Sequence, residues 1–251
     1  MSSETRELIA RTYQGSRREL RSYLTRIVLR PDVAEELVQQ AAVKLLEAEH
    51  AEGATPSDAD GMRAWLFRVG TNLALDHLRR HSTWRENIML EAREVADRSE
   101  TFIAESALLR GSAETSAIAR EHLSVCLACT LRNLPPQQAA ALLLAEIYGF
   151  TVDEAAQILD ATHAQTKNWI QAARAYLRDK YDTTCALITK QGVCHQCVEL
   201  NVFFHGRKED PLEGTARDID ARLAIVRERR ETTLGPWHQL MMRLVDDVLK
   251  G

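Results

Sequence analysis

Aromatic side chains make up only 6% of the 251 residues, and strand-like runs of alternating Val, Ile and Thr are nearly missing. Ala, Leu, Arg and Glu are abundant instead, which predicts an all-α chain. No segment approaches the roughly 20 consecutive apolar residues that a bilayer demands, which excludes a transmembrane helix. The N-terminal stretch MSSETRELIARTYQ has no apolar core of the kind a secretory signal carries, so a cytoplasmic location is expected. Neither sign of charge dominates: 32 Lys and Arg stand against 36 Asp and Glu, for a net charge of −4. Any attraction to nucleic acid must therefore be local. No Gly-rich phosphate loop, HExxH pair or Ser/His/Asp grouping stands out, so the chain does not read as an enzyme. What remains is an ordinary globular composition, 45% hydrophobic and 27% charged.

Helical periodicity organises this material. A first amphipathic helix runs from about Glu4 to Arg30, with Leu8, Tyr13, Leu20, Tyr23, Leu24, Ile27 and Val28 on its apolar side, and Pro31 breaks it. Asp32 is expected to cap a second helix, with Glu35 completing a capping box, and that helix ends near His50. After the loop AEGATPSDAD comes a third helix, Gly61 to His81, whose Trp65, Val69, Asn72 and Asp76 fall on one stripe. Arg63, Arg68, Arg79, Arg80 and Arg85 against Asp76 alone make the stretch 62–85 a concentrated basic patch in an acidic chain. The pattern weakens from 86 to 119, where DRSE and RGSAETS read as linker.

A second helical block opens near Arg120. Pro135 and Pro136 start a helix that Gly149 closes. Thr151 and Glu154 form a capping box for a short helix to Leu159, Asp160 and Ala161 make a tight turn, and Thr162 with Gln165 caps a longer helix to about Tyr181. Its inward side is Trp169, Ile170, Ala173 and Leu177. Two capped helices joined by so short a turn make a helix-turn-helix. Beyond it lie CALITKQGVCHQCVELN, a polar break at HGRKEDPLEGT, and two amphipathic helices: one with Ile219, Leu223 and Val226, the other from Pro236 with Trp237, Leu240, Met241, Leu244, Val245 and Val248.

Two of these segments resemble bacterial sigma factors of the extracytoplasmic-function group. DVAEELVQQAAVKLLEA followed by MRAWLFRVGTNLALDHLRR resembles the sigma-two domain, and LRNLPPQQAAALLLAEIYGFTVDEAAQILDATHAQTKNWIQAARAYLRD resembles the sigma-four domain. They stand in the family's order over roughly the first 180 residues. The resemblance implies that Glu35, Glu36 and Gln39 face core RNA polymerase. It implies that Asn72, Asp76, Arg79 and Arg80 meet the minus-ten promoter element, where Asn and Asp can hydrogen-bond unstacked bases and Arg can neutralise phosphates. It also implies that the helix from Thr162 enters the major groove at the minus-thirty-five element. His163, Gln165, Thr166, Lys167 and Asn168 would lie near the bases there, with Arg174 and Arg178 on phosphates. Lys167, Arg174 and Arg178 are the only cations up to that point of the helix, so it would depend on polymerase to place it.

The five cysteines are Cys126, Cys129, Cys185, Cys194 and Cys197. They include two CxxC pairs, CLAC and CHQC, and in a reducing compartment such clusters point to metal or redox chemistry rather than disulfides. Two CxxC pairs can supply the four thiolates of a tetrahedral zinc ion. His122, Cys126 and Cys129 share one helical side, a motif resembling the zinc site of anti-sigma factors. Cys185 is an alternative fourth ligand, and buried structural cysteines are the plain alternative to any site. Zinc is the first expectation; an iron–sulfur cluster or copper also suits thiolates.

The expected organisation is a sigma-two-like domain over 1–85, a linker over 86–119, a sigma-four-like helix-turn-helix domain over 120–181, and a helical, metal-binding C-terminal regulatory extension over 182–251. The expected function is a sigma factor regulated through that extension, with core polymerase and promoter DNA as partners and a separate anti-sigma protein left open. A stand-alone helix-turn-helix regulator and a metal or redox sensor acting by protein contact are the alternatives.

Overall fold

The computed structural model describes residues 3–48, 56, 58–81, 88–96, 98–110, 127, 130–184, 219–232 and 235–250. Every regular element among them is helical, with no strand, as the scarcity of β-branched alternation predicts.

Helices α1 (Ser3–Val28), α2 (Pro31–Ala48) and α3 (Ala59–Arg80) form a three-helix bundle. Leu20, Tyr23, Leu24, Ala34, Val38, Ala41, Leu66, Phe67 and Ala74 fill its centre. Gly70 sets the spacing between α1 and α3. A Cβ there would come 3.1 Å from a methyl of Leu20, so the missing side chain lets the two helices approach. Tyr23 and Thr71 share a buried hydrogen bond of 2.8 Å between their hydroxyls.

The break between α1 and α2 differs from expectation. The chain turns at Leu29, which holds a left-handed φ of 56°, and Pro31 is itself the first residue of α2. Proline disfavours helical backbone at the residue before it, yet suits the first helical position, where no amide proton is needed. Asp32 therefore lies inside the first turn rather than capping it, and Arg30 grips its carboxylate at 2.8 Å.

The segment 86–119, expected as linker, carries two helices, α4 (Ile88–Ala96) and α5 (Glu100–Arg110). Their Ile88, Ala92, Ala96 and Phe102 join Leu29 and residues of the C-terminal helix in a second, smaller core. Within DRSE, Arg98 and Ser99 lie between the two helices and Glu100 opens the second. Both helices are short, and the buried spacing Ile88, Ala92, Ala96 in α4 spans little more than two turns.

Helix α6 (Pro136–Leu142) runs into one wide π turn, Leu143–Ile147. The Tyr148 amide donates to Leu143 O at 3.0 Å, and Gly149 (φ 75°) ends the helix. Tyr148 and Phe150 are both buried. Their rings meet Tyr23 and Phe67 of the bundle at centroid distances of 4.9 to 5.7 Å. Helices α7 (Val152–Leu159) and α8 (His163–Thr184) complete the helix-turn-helix. Past them come α9 (Ile219–Glu228) and α10 (Pro236–Lys250). Ile219, Leu223 and Val226 of α9 belong to the main core, while α10 packs on α4 and α5.

Candidate nucleic-acid interface

Local chemistry shapes the helix-turn-helix closely. The Thr151 hydroxyl accepts from the Glu154 amide at 3.2 Å, and the Glu154 carboxylate accepts from the Thr151 amide at 2.7 Å, a complete capping box. Asp160 takes the left-handed conformation (φ 52°, ψ 48°) that turns the chain, a position Asp tolerates better than most residues. Thr162 then accepts from the Gln165 amide at 3.2 Å, which leads into α8. His163 and Asp153, at the N-terminal ends of the two helices, are linked at 2.6 Å.

His163, Gln165, Lys167 and Asn168 are exposed on the first turns of α8, where the expected base-reading residues should be. Thr166 is not among them. It is 0% exposed, and its hydroxyl finds no hydrogen-bond partner. Thr166 begins the inward stripe that continues through Ile170, Ala173 and Leu177, so helical spacing turns it to the core. Gln171, exposed four residues after Lys167, extends the outer face. Sequence reasoning passed over it, although its i+4 relation to Lys167 was the available signal.

Arg174 also departs from expectation. Its guanidinium bridges Glu146 at 2.7 Å and Asp220 of α9 at 2.5 Å. The hydrogen bond to Asp220, with that to Glu146, holds it above its ordinary pKa. A cation already matched by two carboxylates is not free for a phosphate in this conformation. Arg178 is exposed.

On α3, Asn72, Arg79 and Arg80 are exposed, and Asp76 is half-buried and paired with Arg79 at 2.8 Å. The first half of the stripe is covered: Trp65 and Val69 pack against the main core, as does Trp169 of α8. Arg63 turns inward, donating to Glu19 at 3.0 Å and to Tyr148 O at 2.8 Å, and stacks over the Phe150 ring at 4.2 Å. Of the basic patch read from the sequence, Arg68, Arg79 and Arg80 face outward and Arg63 inward, while Arg85 lies outside the described residues.

On α2, Glu36 and Gln39 are exposed. Glu35 points back to α1, paired with Arg17 and, at 3.0 Å, with Arg21. The hydrogen bond from Arg17 keeps its carboxyl below the usual range. Both arginines engage the Glu35 carboxylate in this conformation, leaving Glu36 and Gln39 as the open polar positions. Val43 and Leu46 extend the outer face of α2, 52% and 53% exposed, apolar residues that the acidic pattern had obscured.

His122, Cys126, Cys129, Cys185, Cys194 and Cys197 all lie outside the described residues. Among the described residues no group of three His, Cys, Asp or Glu is placed to hold a metal ion, and no helix is long and apolar enough to cross a membrane.

A three-helix bundle with an exposed polar stripe, joined to a helix-turn-helix with an open recognition face, defines a two-module helical protein suited to nucleic acid. Both modules belong to the sigma-70 family. Residues 12–83 match Sigma-70 region 2 and residues 124–177 match Sigma-70, region 4, which between them cover about half of the chain. The two matches support an RNA polymerase sigma factor that directs promoter-specific initiation, a family that is not enzymatic. No match to a curated protein was found.

Proposed function

We propose that this chain is a sigma factor of the extracytoplasmic-function type whose C-terminal extension regulates it. The reading rests on the order of the two matched regions and on the open face of α8. Glu36 and Gln39, with Val43 and Leu46 beside them, would meet core polymerase. Asn72, Asp76, Arg79 and Arg80 would meet the minus-ten element. His163, Gln165, Lys167 and Asn168 would meet the minus-thirty-five element, with Gln171 and Arg178 next along the helix.

The test is transcription by core polymerase plus this protein on a library of promoter sequences. The expected result is start sites that share two conserved elements and vanish without the protein. Tight binding of the free protein to duplex DNA, with no stimulation of core polymerase, would replace this reading with a stand-alone regulator.

The regulatory part rests on the cysteine spacing. Cys126, Cys129, Cys194 and Cys197, with Cys185 and His122 as alternatives, would bind zinc and tie the extension to the start of the region 4 segment. Protein purified without oxygen should hold one colourless metal ion per chain. Unchanged metal content and unchanged transcription in Cys194→Ser would overturn it.

A further inference from the structure

The end of α9 lies across both modules. Arg26 of α1 is only 2% exposed, and its guanidinium reaches backbone carbonyls more than 200 positions away in sequence. It donates to Arg230 O and Thr232 O, each at 3.1 Å, and to Arg229 O at 3.4 Å. Ser22 donates to Thr232 O at 2.8 Å. From the other module, the Tyr148 hydroxyl donates to Arg230 O at 3.2 Å while accepting from Arg26 at 3.1 Å. These carbonyls follow the C-terminus of α9, where the helix dipole favours a cation, and Arg229 O also accepts from the Thr232 amide at 3.0 Å.

Side chains repeat the arrangement. Arg230 pairs with Glu19 of α1 at 2.5 Å, and Glu19 also pairs with Arg63 of α3. Arg227 donates to Glu146 O at 2.7 Å. Asp220 takes the second arm of Arg174. The segment 219–232 thus holds region 2 through Glu19, Ser22 and Arg26, and region 4 through Glu146, Tyr148 and Arg174.

The arrangement that it holds is closed. Helix α3 packs directly on α7, the first helix of the helix-turn-helix. Arg63 and the four-ring aromatic cluster seal the seam. A compact chain of this length has a radius of gyration of about 18 Å. The minus-ten and minus-thirty-five elements lie roughly 25 base pairs apart by definition, or about 85 Å at 3.4 Å per base pair. Readers packed side by side cannot reach both.

We infer that α9 and the turn after it are an intramolecular clasp that keeps the two DNA-reading modules closed, and that release of the clasp precedes promoter recognition. This rests on the sigma-factor reading for its consequence, though not for the contact itself. Once the clasp is out, Arg174 is free of Asp220, and the seam between α3 and α7 is left to Arg63 and the aromatic cluster.

The experiment uses the full chain with Arg230→Glu and, separately, Arg227→Glu. Arg230→Glu sets a carboxylate against Glu19, and Arg227→Glu sets one against Glu146. Both sites are solvent-accessible, so the cores should fold, which circular dichroism checks. Solution scattering should show a radius of gyration larger by several ångströms than that of the wild type. Transcription with limiting core polymerase should rise several-fold. Scattering that matches the wild type in both folded variants would overturn the clasp. Expansion with wild-type or lower transcription would overturn its inhibitory role. Expansion with no transcription from wild type or variants would strike the sigma-factor reading and leave the clasp standing.

Discussion

Arg132 is a cation that the fold buries at a cost. It is 5% exposed, its Nε has no hydrogen-bond partner, and burial pushes its pKa down to about 10 against an opposing pull from Asp246. A base whose folded pKa lies below its unfolded value penalises the folded state while it is protonated. That penalty is fully present below pH 10 and fades as pH climbs above it. Replacing poorly paired buried charges with apolar side chains of similar volume is often stabilising, by about 1–4 kcal/mol. Arg132→Met should therefore leave stability unchanged or raise it in urea denaturation. A clear loss would mean that the guanidinium is satisfied in a way the geometry does not show. Thr166 makes the complementary case. Thr166→Val removes an unpartnered buried hydroxyl, so stability should hold or rise and promoter preference should not change. Lys167→Ala, one position on and exposed among the base-reading candidates, should weaken promoter use and relax preference within the minus-thirty-five element. Transcription from a library of minus-thirty-five variants separates the two.

Among the elements, α7 and α8 depend most on local chemistry. The capping box at Thr151 satisfies amide groups at the start of an eight-residue helix, which is too short to persist on its own. Thr151→Ala should cost about 1 kcal/mol, read as a lower melting temperature of the full chain. Both ends of this motif were legible because caps are matters of residue type at fixed spacing. The start of α2 was misread for a related reason. Pro31 both breaks and begins helices, and local pattern alone did not say which role it takes there. Helix α4 did leave a period in Ile88, Ala92 and Ala96, but the sequence could not show that these residues and Phe102 pack on α10, a partner distant along the chain.

For the whole molecule, acid should loosen the closed state. Burial pushes the Glu19 carboxyl up, but hydrogen bonds from Arg230 and Arg63, with their charges, outweigh that and hold it below its ordinary 4.5. A carboxyl with a lowered folded pKa stabilises above its unfolded value, and that contribution is lost as pH falls through the folded one. Scattering from the wild type should therefore stay compact above pH 4.5 and begin to expand below it. Glu19→Gln, which keeps a hydrogen-bonding side chain without the charge, should already be looser at neutral pH and respond less to acid. Equal pH profiles for the two would place the acid response elsewhere, with Glu35 and Asp32 the next carboxyls held low by arginine.

Residue order alone carries the helical class, the helix-turn-helix with its caps, and the resemblance that the family matches support. These follow from short-range rules: a period of 3.6 residues, the amide left open at a helix start, a glycine where φ is positive. Tertiary structure decided which outward-looking residues are spent internally. Glu35, Arg63, Thr166 and Arg174 all match the polar or charged pattern of a free surface, yet each faces another part of the chain. Tertiary structure also decided that the modules close under α9. The acceptors that Arg26 finds beyond α9 are backbone carbonyls, and every residue carries one, so no choice of residue type marks those three.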